Sequence, residues 1–294
     1  MDIVITTDRL PKVGETVIGR QIDYFVGGKG ANQAVAAARS GAQVSFLAKI
    51  GEDTFGEKVA EHLKREQLDL SQLEVEKNIF TGLASIFNLP EDNCITVVSG
   101  ANELVDEDYV GRAQDSIKQA DVLLLQLEIP VAAIRKGLNI ARENKVTTIL
   151  NPAPYNQSVQ ELLPQVDYLT PNETEFAALL GVDKLGEDAI EQQMLLWQEQ
   201  HATRLILTRG SHGVSFVEEG RVVTVPAYQV VVEDTTGAGD TFNGVLASEL
   251  SRGRKLGEAI AIANAGSGLA VTKLGAQTGM PTGEEIQAFL QKHS

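Results

Sequence analysis

Residues 122–151 read VLLLQLEIPVAAIRKGLNIARENKVTTILN, and this stretch decides the fold class. Val122–Leu127 is an apolar run of strand length, closed by the polar Glu128. Ile134, Leu138 and Ala141 then recur along Ala132–Glu143 at the spacing of one helix face. Thr147–Leu150 is a second β-rich run, closed by Asn151. The rhythm continues downstream. Tyr168–Thr170 and Leu205–Thr208 are further short strands, and Phe176, Leu179 and Leu180 mark a helix between them. Val214–Val217 and Val222–Val225 read as a hairpin. Strand and helix in alternation predict an α/β fold, a mainly parallel sheet flanked by helices on both faces. In such sheets ligands sit at the carboxyl ends of the strands. Glu128, Asn151, Asn172 and Thr208-Arg209-Gly210 all fall there.

Two segments break the rhythm. Thr16–Phe25 and Thr81–Ser99 are β-rich, the second with a polar turn at Pro90-Glu91-Asp92-Asn93. Neither is long enough to fold alone, so together they predict a small β-sheet lid over the strand ends, built from about residues 9–26 and 80–100. The segments Ala31–Ser40 and Glu57–Glu66 read as packing helices, and Trp197, beside Leu195 and Leu196, reads as core. No long linker, repeat or low-complexity tract interrupts the 294 residues, which read as a single domain over 1–294.

Composition narrows the function. A 43% hydrophobic and 22% charged chain is an ordinary globular one. No apolar run approaches 18 residues, which argues against a membrane span, and no signal peptide is visible. The lone Cys94 excludes an internal disulfide framework and fits a reducing cytoplasm; a packing role is expected for it. The net charge of −15 argues against nucleic acid, whose phosphates demand basic patches. His62, His201, His212 and His293 show no metal-ligand spacing.

The chemistry concentrates in a few loops. Asp234-Thr235-Thr236-Gly237-Ala238-Gly239-Asp240 places two acids six residues apart around a small-residue turn, and an apolar helix follows. Such a helix start leaves N–H groups that attract phosphate oxygens. An Asp within it reads either as an ordinary cap or as a base that takes a proton during phosphoryl transfer. Gly27-Gly28-Lys29-Gly30-Ala31-Asn32 precedes a helix of small residues. It is either a tight turn or a close backbone approach to a ligand, with Asn32 offering donor and acceptor to a diol. Its spacing is not that of a Walker A loop. Pro171-Asn172-Glu173-Thr174-Glu175 is explained by helix capping or, functionally, by Asn172 facing a phosphate and Glu175 organising a magnesium-bound water. Thr208-Arg209-Gly210-Ser211-His212-Gly213 is a glycine turn or a nucleotide-lining loop. Gly275-Ala276-Gln277 suggests no chemistry by itself.

With these pieces in order, the chain resembles the ribokinase-like family of sugar and nucleoside kinases over almost its full length. The 234–240 run marks the family as a whole, and Gly-Gly-Lys-Gly-Ala-Asn-Gln-Ala at 27–34 marks its ribokinase branch; Asn151-Pro152-Ala153-Pro154 and the 171–175 run also match. The resemblance implies a three-layer fold and ATP-dependent phosphorylation of D-ribose at its 5-hydroxyl. It implies that Asp240 is the base and that Gly237, Ala238 and Gly239 form the anion hole. Ribose would be bound by Asp2, Gly28, Lys29, Gly30, Ala31, Asn32 and Glu128. Nucleotide contacts would fall at Asn172, Thr208, Arg209, Gly210, Ser211, His212, Gly213, Gly239, Asp240 and Asn264. A potassium ion would lie at Asp234, Thr236, Ala270, Lys273, Gly275 and Gly279, largely on backbone carbonyls, with magnesium accompanying ATP. A homodimer through the lid is implied as well. In the family a strand ending in Gly-Ser-Ile-Asn precedes the acid matching Asp2. Here Met1 stands in its place, and the expectation is that the native chain starts upstream.

Overall fold

The computed structural model describes residues 1–91 and 93–293; Asp92, in the expected 90–93 turn, lies outside the described residues. Twelve strands are described: β1 (Asp2–Thr6), β2 (Gln21–Phe25), β3 (Ala48–Gly51), β4 (Leu73–Glu76), β5 (Leu83–Asn88), β6 (Asn93–Val98), β7 (Val122–Leu125), β8 (Thr147–Leu150), β9 (Tyr168–Leu169), β10 (Arg204–Thr208), β11 (Val214–Glu218) and β12 (Arg221–Val225). The main sheet runs β12-β11-β10-β9-β8-β7. Strands β7 to β10 are parallel, and the β11–β12 hairpin extends the sheet antiparallel.

Side-chain alternation along these strands builds two cores. Leu150, Leu205 and Leu207 face one side, with Ile134, Leu138, Phe176, Met194 and Trp197 from its covering helices. Ile149, Ile206 and Phe216 face the other, against Phe242, Val245, Leu246 and Ile260. Two apolar faces buried under helices give the expected three layers. Trp197 is 4% exposed, as its helical position implies.

A second sheet of four strands, β2-β1-β5-β6, gathers the two segments that broke the rhythm. Its composition differs from the expectation in two respects. Only Gln21–Phe25 of the first segment is strand, and the N-terminal Asp2–Thr6 joins as a central strand, parallel to β5 and antiparallel to β2. The run is too short to announce its sheet, because period-2 alternation fixes faces rather than partners. Cys94 is exposed on β6, an edge strand, which corrects the packing role expected of it. Strands β3 and β4 form a separate parallel pair. Among the described residues, β7 and β12 are the edges of the main sheet.

Candidate active site

The helix Ala238–Ser251 starts on Gly237, whose φ of 78° is the left-handed conformation that glycine adopts without strain. Asp240 lies in its first turn and is only 8% exposed. The helix Lys29–Arg39 packs directly along it. A Cβ at Gly244 would stand 2.4 Å from the Gln33 carbonyl oxygen and 2.6 Å from the Ala36 Cβ. Glycine there lets the two backbones approach closely, which brings side chains 208 positions away in sequence onto Asp240. Asn32 Nδ2 donates to Oδ2 at 2.9 Å. Gln33 Nε2 donates to Oδ1 at 3.0 Å. Both carboxylate oxygens are thereby held by neutral donors.

These donors are themselves oriented. Gln126 Nε2 donates to Gln33 Oε1 at 2.5 Å, and Gln33 Nε2 also reaches Asn151 Oδ1 at 3.1 Å. Asn151 in turn donates to the Thr170 carbonyl at 2.9 Å. On the other side Gln277 Nε2 donates to Asn32 Oδ1 at 2.9 Å, and His62 Nε2 lies 2.6 Å from Gln277 Oε1. Sequence reasoning met Gln33 only as part of the 27–34 run and His62 only as lacking metal-ligand spacing; it passed over Gln126 and gave Gln277 no chemistry. A further signal is a polar residue in an apolar context, as at Gln33 among alanines and Gln126 among leucines.

Burial pushes the Asp240 carboxyl above its ordinary value; Lys29 and the Gln33 and Asn32 bonds pull it back only in part. Glu128 and Glu175 are raised for the same reason, and Lys29 acts on both. Lys29 is thus the cation shared by three carboxylates, and its backbone N–H also donates to Glu128 Oε2 at 2.8 Å. Asp2 is raised by burial too, with Asp240 adding to the rise. Its carboxylate lies against Gly27, where a Cβ would stand 2.0 Å from Oδ2. Asp2, Gly28, Lys29, Asn32, Glu128 and Asp240 are therefore gathered in one place, with Gly30 and Ala31 in the first turn of the Lys29–Arg39 helix. Gly30 faces Gln126, whose Oε1 would be 3.1 Å from a Cβ there.

The anion site differs in detail from the expectation. The Ala238 N–H already donates to the Thr235 carbonyl at 3.2 Å. Among the described residues, the N–H groups of Gly237, Gly239 and Asp240 have no protein acceptor, and a Cβ at Gly239 would meet only open space. A phosphoryl oxygen would find those three groups, at the positive end of the helix.

The strand-end loops lie nearby. Asn172 caps the Glu173–Leu179 helix with Glu175 in a reciprocal capping box, Glu175 N–H to Asn172 Oδ1 at 2.8 Å and Asn172 N–H to Glu175 Oε2 at 2.9 Å. The capping reading is thus realised, and it leaves the Asn172 side-chain amide and Glu175 Oε1 without a protein partner among the described residues. A carboxylate with one free oxygen fits a water-mediated magnesium ligand. Thr208 binds the Pro171 carbonyl. Arg209, expected toward the nucleotide, turns its guanidinium to Glu173 at 3.1 Å, to Glu187 and to Ser215. Gly210, Ser211 and His212 are exposed. Gly213 is buried, with Val225 O 2.0 Å from where its Cβ would be. Asn264 is 6% exposed and holds the Pro226 carbonyl at 2.9 Å, which makes it a support for the adjoining loop. Glu173, Glu187 and His212 converge closely enough to hold a cation; Arg209 already occupies the two acids.

Asp234 stands apart from Asp240. Burial raises its carboxyl, but bonds from Thr236 and the Gly275 N–H outweigh that and hold it below the ordinary value. Its oxygens accept Thr236 N–H and Gly275 N–H, each at 2.8 Å. Behind this turn a Cβ at Gly279 would lie 2.5 Å from the Ala270 carbonyl oxygen and 3.5 Å from that of Lys273. Neither carbonyl accepts a hydrogen bond among the described residues. Two such free carbonyl oxygens near one another suit a hard monovalent cation. The Gly275 carbonyl, by contrast, is taken by Gly279 N–H at 3.0 Å.

Known proteins resemble this chain in sequence and in fold. The chain is 38% identical over 290 residues to a ribokinase of Bacillus subtilis, covering 99% of this chain and 96% of the relative. It is 30% identical over 292 residues to a deoxyribokinase of Salmonella typhi, covering 99% and 95%. Among solved structures, that of Arabidopsis thaliana ribokinase complexed with ribose and ATP superposes with a TM-score of 0.91 at 29% identity, over 99% of this chain and 95% of that one. The model of the pfkB family of carbohydrate kinases matches residues 1–283, and the chain belongs to that family.

Proposed function

We infer that the chain catalyses ATP-dependent phosphorylation of D-ribose at the 5-hydroxyl, giving ribose 5-phosphate and ADP. The observation that carries this reading is the buried Asp240 beside free helix N-terminal amides, among a polar cluster of Asp2, Lys29, Asn32 and Glu128. Greater identity to a ribokinase than to a deoxyribokinase favours the 2-hydroxylated sugar.

In this mechanism the carboxylates and Asn32 bind the sugar hydroxyls and aim the 5-oxygen at the γ-phosphorus. That oxygen attacks as the bond from phosphorus to the ADP oxygen breaks, and its proton passes to an Asp240 oxygen. The N–H groups of Gly237, Gly239 and Asp240 stabilise the oxygens of the transferring group. Lys29 lowers the cost of gathering carboxylates around it. Magnesium, carried with ATP and held through water by Glu175, would offset phosphate charge. The 208–213 loop lines the nucleotide through Gly210, Ser211 and His212, while Arg209 fixes that loop to the neighbouring helices.

Potassium at Asp234 and the 270–279 carbonyls would act by ordering the turn that abuts Gly237. The four-stranded sheet serves as the lid of a single domain, and two lids join in a homodimer. A cytoplasmic location belongs to this reading, supported by the ATP requirement and the lone cysteine.

A coupled ADP assay with ribose, deoxyribose, fructose and a nucleoside, run with potassium or with a bulky cation in its place, tests the assignment. We expect the highest kcat/KM on ribose and a higher rate with potassium. Equal turnover on all acceptors, or none, overturns the substrate; indifference to the cation removes the potassium site alone.

A further inference from the structure

The proton that Asp240 accepts must leave again before the next turnover, and the residues around the carboxylate decide how readily it does so. Asn32 is poised to change partners, because its amide lies where the sugar binds. Gln33 is not. It has no exposed surface, and its amide is fixed from three sides. Gln126 occupies Oε1 with a donor, so Gln33 can present only its NH2 group inward. One bond from that group goes to Asn151 Oδ1, an acceptor because Asn151 Nδ2 is committed to the Thr170 carbonyl. The other goes to Asp240 Oδ1.

Gln33 thus presents a donor that cannot turn into an acceptor. An ionised Asp240 satisfies it. A protonated Asp240 with its proton on Oδ1 would set O–H against N–H. A donor of this kind favours the charged form of a carboxyl and opposes the rise that burial imposes. The charged groups facing Asp240 do not supply the same effect. Asp2, Glu128 and Glu175, from β1, the β7 end and the Glu173–Leu179 helix, all disfavour its charge, and Lys29 alone favours it.

We propose that Gln33, locked by Gln126 and Asn151, is a positioning residue that keeps Asp240 ionised and aimed throughout the catalytic cycle, including when Asn32 turns to the sugar. The proposal rests on Asp240 being the base.

Its test is the pH dependence of kcat in Gln33→Met, a near-isosteric change that removes the donor, and in Gln126→Leu, a half-buried position that frees the Gln33 amide to flip. The expected result for Gln33→Met is a fall in kcat of about 10- to 100-fold, the effect of one hydrogen bond to a charged group. The acid limb should move up by about one pH unit, with the KM for ATP unchanged. Gln126→Leu should shift the limb the same way by less. A folded Gln33→Met protein with the original acid limb and kcat overturns the proposal. So does lower thermal stability with an unmoved limb in both variants, which would mean a packing role. If Gln33→Met fails to fold, an unmoved limb in Gln126→Leu overturns it. Asp240→Ala, measured alongside, separates the two claims: substantial activity there sinks the base itself, whereas an inactive Asp240→Ala with an unaltered Gln33→Met sinks only the positioning role.

Discussion

Burial disfavours the charge on Asp240, yet the proposed chemistry needs that charge. Asn32, Gln33 and Lys29 resolve the conflict only in part, so the carboxyl remains above its ordinary 3.8. Two consequences can be measured. Asp240→Ala should lower kcat by about 10²–10⁴-fold, the range for a positioned acid–base group, with ATP affinity nearly intact by calorimetry. The stability effect has the opposite sign. A carboxyl whose folded pKa exceeds its unfolded one makes the native state weaker as pH rises through that window. The thermal midpoint of Asp240→Ala relative to the parent should therefore rise between pH 3.8 and the raised folded value, then level off. A parent that gains on the variant over that range would contradict the burial argument. At this scale Asp240 was legible in the sequence as a base or a cap, since its place after Gly237-Ala238-Gly239 is a local pattern. Its partners were not legible, because nothing local links position 33 or 277 to position 240.

Among the elements, the contact between the Lys29–Arg39 and Ala238–Ser251 helices matters most. Both are rich in small residues, and sequence reading took the first of them for a packing helix. The structure shows what that packing accomplishes: Gly244 admits the opposing helix, and the amides of Asn32 and Gln33 arrive at the carboxylate as a result. Gly244→Val should push the helices apart. Overpacking of this kind costs about 1–3 kcal/mol, readable as a lower denaturation midpoint. Activity should fall further than stability explains, since a 1 Å misplacement can cost about 10²-fold in rate. A variant destabilised but fully active per folded molecule would separate helix packing from the site. The Arg209 loop carries a similar lesson. The resemblance put Arg209 among the nucleotide contacts, but its guanidinium is paired with the acids at 173 and 187.

Across the whole molecule, the four-stranded sheet has outer strands, β2 and β6, that are largely exposed. Strand pairing aligns Phe25 with Asp2, Ala84 and Val97, and the next row aligns Asp23, Val4, Ile86 and Ile95. Phe25, Ile95 and Val97 on that face are 43%, 54% and 60% exposed. Apolar surface of this sort on a sheet with open edges calls for a partner. Under the dimer reading, sedimentation should give twice the chain mass, and the double change I95K/V97K should give monomers. A monomeric parent at micromolar concentration would remove the dimer from the proposal.

The sequence by itself determined the α/β class, the strand–helix alternation from β7 onward, the β11–β12 hairpin and the glycine turns. Each of these follows from a backbone period or a capping geometry that spans only a few residues. It also marked the chemical loops, since glycine-rich strand ends are local patterns. Only the tertiary structure decided that β1 joins the four-stranded sheet, that the Arg209 guanidinium pairs with Glu173 and Glu187, and that Gln33 and Asn32 hold Asp240. Those contacts join positions as much as 208 residues apart. Their physical origin is the fit of one helix against another, which no local pattern encodes.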